Sequence, residues 1–287
     1  MKLCRWYHTQ VFLFMLLLMI SGCSVKRDTM ITIKGSDTMV NMMQGLADDF
    51  MNMHPDYRVH ITGGGSGNGI AALLNGLTDI ASISRPLKES EIKEAARRGI
   101  RYTVIPIAMD GIVVAVHASS PYDSLSLNQV KDFFTGALTS SSSVTLYGRE
   151  NSSGTFEYFR EKVLKGASFN QKMQHLPGTA FIAELVAKDP TAMGFGGVSY
   201  FLQRPGIKIL ALAPDSLTEA VLPVQDNHLN AEALRTGRYP LSRTLYLVLR
   251  QEGDEAGTAF VNYLQTARAH KVMEAMNFIP VSVDTSR

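Results

Sequence analysis

Thr145-Leu-Tyr-Gly-Arg149-Glu-Asn-Ser152-Ser153-Gly154-Thr155-Phe-Glu-Tyr-Phe159 joins two kinds of periodicity through one polar turn. Val144 to Tyr147 is a short apolar run that predicts a buried strand, while Phe156, Phe159 and Val163 recur at helical spacing. A helix starting near Thr155 leaves its first backbone N–H groups unpaired and carries partial positive charge there. Gly154 lets an anion approach that backbone, and Ser153 and Thr155 add hydroxyl donors. Arg149 adds a planar, permanently charged fork suited to tetrahedral oxyanions. The plainer reading is a helix capped by Ser152 or Ser153 beside a surface arginine.

The same strand–turn–helix arrangement occurs elsewhere. Ile31 and Ile33 alternate as a strand, and Gly35-Ser36-Asp37-Thr38 turns into a helix with Met39, Met43, Leu46, Ala47 and Phe50 on one face. Val59 and Ile61 lead into Gly63-Gly-Gly-Ser66-Gly-Asn-Gly69 and a helix carrying Ile70, Leu73, Leu74 and Leu77. Those glycines match neither the dinucleotide spacing nor a P-loop. Asp79 to Ser84 is a further strand, and Ser90 is the expected cap of a helix running to Arg98. Tyr102–Ile107 and Ile112–Val116 predict two adjoining strands about Asp110-Gly111, a candidate crossover. Ser126 caps a short helix that Gly136 stops, Ser140 to Ser143 predicts a solvated loop tip, and Gly194-Phe-Gly-Gly197 predicts a turn. Lys208–Leu212 and Arg243–Arg250 predict strands, and Gly257–Asn277 a helix. Strands alternating with helices define an α/β fold whose ligands sit beyond the carboxyl ends of strands. All of the hydroxyl-bearing turns follow strands and can converge on one cleft.

The beginning of the chain predicts export. Lys2 and Arg5 precede an apolar run from Val11 to Ile20, too short to span a bilayer comfortably. Ile20-Ser21-Gly22-Cys23 follows and resembles the lipobox of bacterial lipoproteins, which implies lipidation of Cys23. Residues 1–22 are then signal and 23–29 a tether. Removing the signal takes away Lys2 and Arg5 and no acid, leaving 26 residues of each sign. A formally neutral chain argues against nucleic acid bound through bulk charge. Cys4 leaves with the signal, so no disulfide is expected.

Over most of the mature chain the pattern resembles the periplasmic phosphate-binding proteins of ABC transporters. The strongest element is Arg149-x-x-x-Ser153-Gly154-Thr155, similar to the family's phosphate loop. Tyr239-Pro240-Leu241-Ser242-Arg243 and the strand after it resemble the family's return crossover. The resemblance implies a two-lobe periplasmic-binding-protein (type II) fold joined by two hinge strands. It implies lobe I at 30–108 plus 241–287 and lobe II at 109–240. It also implies phosphate ligands at Thr38, Met39 (through its backbone N–H), Ser66, Ser84, Arg149, Ser153, Gly154 and Thr155. The implied protein is a lipid-anchored monomer on the extracytoplasmic face of a bacterial membrane, without cofactor or metal. It captures inorganic phosphate and passes it to an ABC permease.

One position departs. Well-known members carry Asp in a Ser-Asp-Ala-Pro-Leu segment, where the carboxylate accepts the ligand's proton; here Ile83-Ser84-Arg85-Pro86-Leu87 places Ser84 there. A serine both donates and accepts, so it excludes sulfate less strictly than a carboxylate does. Asp37 and Asp110 are candidate substitute acceptors, and Arg85 is either a second anion contact or, the preferred reading, a surface charge beside Glu89. The alternatives are a binding protein or sensor for another tetrahedral oxyanion such as sulfate or molybdate, or an exported hydrolase using Ser153. No Gly-x-Ser-x-Gly elbow is present and the histidines are scattered, which disfavours the hydrolase. Arg149→Ala is expected to weaken anion binding and to leave the fold intact.

Overall fold

Two sheets share one long strand. The structure, a computed structural model, describes residues 28–137, 144–251 and 255–282. The expected signal, Cys23, most of the tether and the Ser140–Ser143 tip lie outside them.

Strand β1 (Thr29–Gly35) leads through a 3-10 turn (Asp37–Met39) into α1 (Val40–Met53). Next come β2 (Tyr57–Thr62), α2 (Ser66–Leu74), β3 (Ile80–Ile83) and α3 (Glu89–Arg97). Then β4 runs unbroken from Tyr102 to His117, so the two expected strands are one. Asp110-Gly111 stays extended because β4 exchanges one partner for another there. Its first part pairs with β13 (Ser242–Arg250) up to Gly111, and from Ile112 it pairs with β8 (Ala192–Gly197). With β6 (Thr145–Arg149) and β7 (Gln174–Leu176), the strand order β2-β1-β3-β13-β4-β8-β6-β7 runs through both sheets.

Between β4 and β8 the chain forms β5 (Ser124–Ser126), α4 (Leu127–Thr135), β6 (Thr145–Arg149), α5 (Gly154–Lys162), β7 (Gln174–Leu176) and α6 (Thr179–Lys188). After β8 come β9 (Ile207–Ile209), β10 (Ala211–Ala213), β11 (Val224–Gln225), β12 (His228–Leu229) and α7 (Ala231–Arg235). The expected strand over 208–212 is thus two pieces: β9 pairs with β4, and β10 with β5. Helices α8 (Glu255–Leu264) and α9 (Ala267–Ala275) and strand β14 (Ile279–Pro280) close the chain. The single helix expected from 257 to 277 is broken where Thr266 caps α9, its side chain accepting from Ala269 N–H.

Other differences have local causes. Gly194–Gly197 lies within β8 rather than in a turn, because it pairs with β4 and, at Gly194, with β6; the glycines leave room for helix α6 and Phe201. A Cβ on Gly194 would stand 2.6 Å from an Ile182 methyl, and one on Gly196 2.3 Å from a Thr179 methyl. Helix α3 begins one residue before Ser90: the Glu91 carboxylate accepts from Lys88 N–H and so fixes the start.

Period-two alternation places apolar side chains on both faces of each sheet. Along β4, Ile112, Val114 and Val116 enter one core, and Val113 and Ala115 enter another. Along β13, Leu245, Leu247 and Leu249 pack with Ile31, Ile33 and the buried face of α1. Beneath α5, Phe159 stacks on Phe195 at 3.9 Å between ring centroids, and Phe134 meets Phe159 edge-on at 5.1 Å. Each such pair adds about 0.5–1.5 kcal/mol beyond area burial, and together they hold the helix whose first residues face the site.

Candidate functional site

Three helix starts meet between the two sheets. Ser153 is the N-cap of α5; its Oγ accepts from the backbone N–H of Thr155 and Phe156. That bonding holds Gly154 and Thr155 facing the first sheet. There Thr155 Oγ1 lies 3.1 Å from Thr38 Oγ1, at the start of α1. Helix α2 starts at Ser66, and Gly65 before it has φ +94°, a conformation that favours glycine. A side chain on Gly65 would also strike the Ser152 carbonyl, which instead accepts from Gly67 N–H at 3.0 Å. Ser66 Oγ accepts from Ser84 N–H at 3.1 Å and stands 3.4 Å from Ser84 Oγ. Thr38, Ser66, Ser84, Ser153 and Thr155 are all buried.

The structure therefore brings Thr38, Ser66, Ser84, Gly154 and Thr155 to one point. Gly154 is packed so closely that a Cβ there would lie 2.3 Å from Ser66 Oγ and 2.6 Å from Ser84 Oγ. Met39 sits beside them, but its N–H donates to the Ser36 carbonyl at 3.0 Å and its side chain is in the core. Arg149 is fully buried, contrary to the surface alternative. Its Nη2 donates to Asp37 Oδ2 at 2.6 Å and to the Pro177 carbonyl at 2.8 Å, and its Nε to the Leu176 carbonyl at 3.2 Å. Asp37 Oδ1 also accepts from Gly64 N–H.

The residue the sequence reading did not place in the site is Arg243. Its Nε and Nη2 bind Asp110 at 2.6 and 2.9 Å, Nη1 donates to Thr155 Oγ1 at 3.0 Å, and Nη2 donates to Thr38 Oγ1 at 3.2 Å. Nη1 also reaches the Ser84 carbonyl at 3.2 Å. A signal was present: Arg243 shares the buried phase of β13 with Leu245 and Leu247. A charge on an apolar phase needs a specific partner. Asp110 and Asp37 are thus each held by a guanidinium, so the site carries two charges of each sign. Arg85 is likewise buried rather than exposed; it makes a two-toothed pair with Glu91, not Glu89.

Further contacts join the two sides of this cleft. Tyr200 donates to the Asp37 carbonyl at 2.6 Å, and its phenol is pushed up to about 12 by burial, with the Asp37 charge adding. Tyr158 donates to the Ser242 carbonyl at 2.6 Å, and Lys88 pairs with Glu157 at 3.2 Å. Among the described residues, no cluster of three or more His, Cys, Asp or Glu could hold a metal ion, and no helix is long and apolar enough to cross a membrane.

This architecture is a two-lobe α/β fold joined by crossing strands, with buried donors between the lobes. The chain belongs to the PBP superfamily, whose domain model matches residues 24–268. It is 27% identical to the phosphate-binding protein PstS of Pseudomonas aeruginosa, over 86% of this chain and 81% of that one. It is 29% identical to the protein SphX of Synechococcus elongatus, over 88% and 77% respectively. Among solved structures it resembles one from Clostridium perfringens, assigned as a phosphate ABC transporter substrate-binding protein and holding bound phosphate. That match has 25% identity and a TM-score of 0.76, covering 88% of this chain and all of the other. An ABC-type phosphate transport receptor from Vibrio cholerae shares the fold at 22% identity and a TM-score of 0.68, over 87% and 99%.

Proposed function

We propose that this chain is an extracytoplasmic solute-binding protein that captures inorganic phosphate between its lobes and delivers it to an ABC permease. The observation that carries the reading is the convergence of Thr38, Ser66, Ser84 and Thr155 on Gly154 from separate strand–helix turns. Helix starts with buried hydroxyls bind a tetrahedral anion through aligned dipoles and charge-assisted hydrogen bonds. The relatives named for phosphate binding and the phosphate-bound structure support that ligand.

The lobes are 30–108 plus 241–287 and 109–240, and they move about β4 and the return at Tyr239–Ser242. The ligand set is Thr38, Met39, Ser66, Ser84, Arg149, Ser153, Gly154 and Thr155. Asp37 holds Arg149 in place by an ion pair. The role is binding rather than turnover, by a monomer tethered through lipid on Cys23. Titration calorimetry of the mature chain with phosphate tests the reading; failure to bind overturns it. Metabolic labelling with a radioactive fatty acid, lost in Cys23→Ser, tests the anchor.

A further inference from the structure

Hydroxyls and helix starts are neutral donors, and a guanidinium among them adds the strongest single contact to an oxyanion. Two buried guanidiniums lie near the cluster, and they are placed differently. Arg149 bonds to Asp37, to the Leu176 and Pro177 carbonyls and, at 3.5 Å, to Thr179 Oγ1. Those partners include none of Thr38, Ser66, Ser84 and Thr155. Arg243 reaches three of these four residues, and its five N–H groups have five acceptors. Nε and one Nη2 N–H lie against the two Asp110 oxygens, and one Nη1 N–H meets the Ser84 carbonyl at 3.2 Å. The remaining two N–H groups, one from each Nη, form the end of the fork. They reach Thr155 Oγ1 at 3.0 Å and Thr38 Oγ1 at 3.2 Å.

We propose that Arg243 is a direct ligand of the captured anion. Two oxygens of the tetrahedral centre take the places on Nη1 and Nη2 now held by the Thr155 and Thr38 oxygens. Those hydroxyl oxygens are 3.1 Å apart, side by side on one guanidinium, which is the arrangement of a two-toothed oxyanion pair. Thr38 precedes α1 and Thr155 lies at the start of α5, on opposite proposed lobes. An anion entering between them opens the bond that joins the two hydroxyls, and each then donates to the anion from its own side. This rests on the phosphate-binding reading above and adds a charged ligand to its set.

The rest of the surroundings hold the fork in position before any anion arrives. Asp110 takes one edge of the guanidinium and the Ser84 carbonyl another. The Tyr158 ring lies over it with the centroid 6.0 Å away, and Arg243 is 3% exposed. Binding therefore exchanges two neutral acceptors for a charged one on a donor that is already fixed, the condition under which such contacts contribute most.

The direct test is a crystal structure of the mature chain with phosphate bound, in which both Nη atoms of Arg243 are expected within hydrogen-bond distance of anion oxygens. Titration calorimetry with phosphate supplies a second test. Arg243→Lys keeps a buried cation beside Asp110 but presents one ammonium in place of a fork. Phosphate affinity in it is expected to fall at least about tenfold, the effect of losing a hydrogen bond to a charged group. Urea unfolding in phosphate-free buffer, run alongside, shows whether the fold is kept. Arg243→Gln alone strands a buried carboxylate, so the variant without any cation is Asp110→Asn with Arg243→Gln, which is expected to lose at least as much affinity. Phosphate bound with no oxygen on Arg243 overturns the proposal. So does a folded Arg243→Lys protein whose phosphate affinity stays within about twofold of wild type, as a residue that only braces Asp110 would give. If the lysine variant does not fold, the phosphate-bound structure decides. If the wild-type chain binds no phosphate, the phosphate-binding reading itself fails.

Discussion

Gly154→Ala adds one methyl where the start of α5 meets Ser66 and Ser84. The new Cβ would stand 2.3 Å from Ser66 Oγ, 2.6 Å from Ser84 Oγ and 3.1 Å from Ser66 Cβ, all on the opposite lobe. The hydroxyls can rotate, but Ser66 Cβ is fixed to α2, so the lobes must separate by some tenths of an ångström. Overpacking of this kind costs about 1–3 kcal/mol. On the proposed closure of the lobes the cost falls on the closed state and weakens anion binding about 5- to 150-fold. Unfolding of the ligand-free chain changes little, because alanine is the better helix former and offsets part of the strain. Titration calorimetry gives the affinity, urea unfolding gives the stability, and small-angle scattering with and without phosphate reports closure. Wild-type affinity together with wild-type compaction would show that the cleft does not close on Gly154.

Arg149→Ala destabilises the fold, contrary to the expectation from sequence. It leaves Asp37 half-buried without its ion pair and strips donors from the Leu176 and Pro177 carbonyls, a loss of about 3–5 kcal/mol. Urea unfolding in phosphate-free buffer checks this, and Asp37→Asn with Arg149→Gln should cost less. Lys88→Ala removes a partly exposed bridge between the lobes and weakens phosphate binding about two- to fivefold at low salt. The difference should vanish in concentrated salt; its persistence would rule out an electrostatic latch. Burial raises the phenols of Tyr147, Tyr158, Tyr200, Tyr239 and Tyr263. The native state therefore holds those protons more tightly than the unfolded chain. Their stabilisation is complete below about pH 10 and is lost as pH rises through the native values. Tyrosinate absorbance should thus appear together with unfolding, and free titration of every tyrosine in an intact fold would refute it.

Much of this protein follows from local pattern. Alternation in β1 and β13, the 3.6-residue stripe of α1, the cap at Ser126 and the turn ending in Gly154-Thr155 are set by neighbours within a few residues. The strand–turn–helix succession fixes the α/β class and places hydroxyls at helix starts. Local pattern could not show that β4 is one strand, since its continuity comes from β13 and β8 pairing with it in turn. It could not show that Gly194–Gly197 is a strand, because the strands that pair with it, β4 and β6, are remote in sequence, as are α6 and Phe201, for which the glycines leave room. The partners of the charges were hidden for the same reason. Asp37 and Arg149 stand 112 residues apart, and Asp110 and Arg243 stand 133 apart. Buried ion pairs are chosen by which ends of strands meet when the sheets form. A one-dimensional period can mark Arg243 as a charge in an apolar phase, but only the packed chain names the carboxylate behind it and the hydroxyls in front.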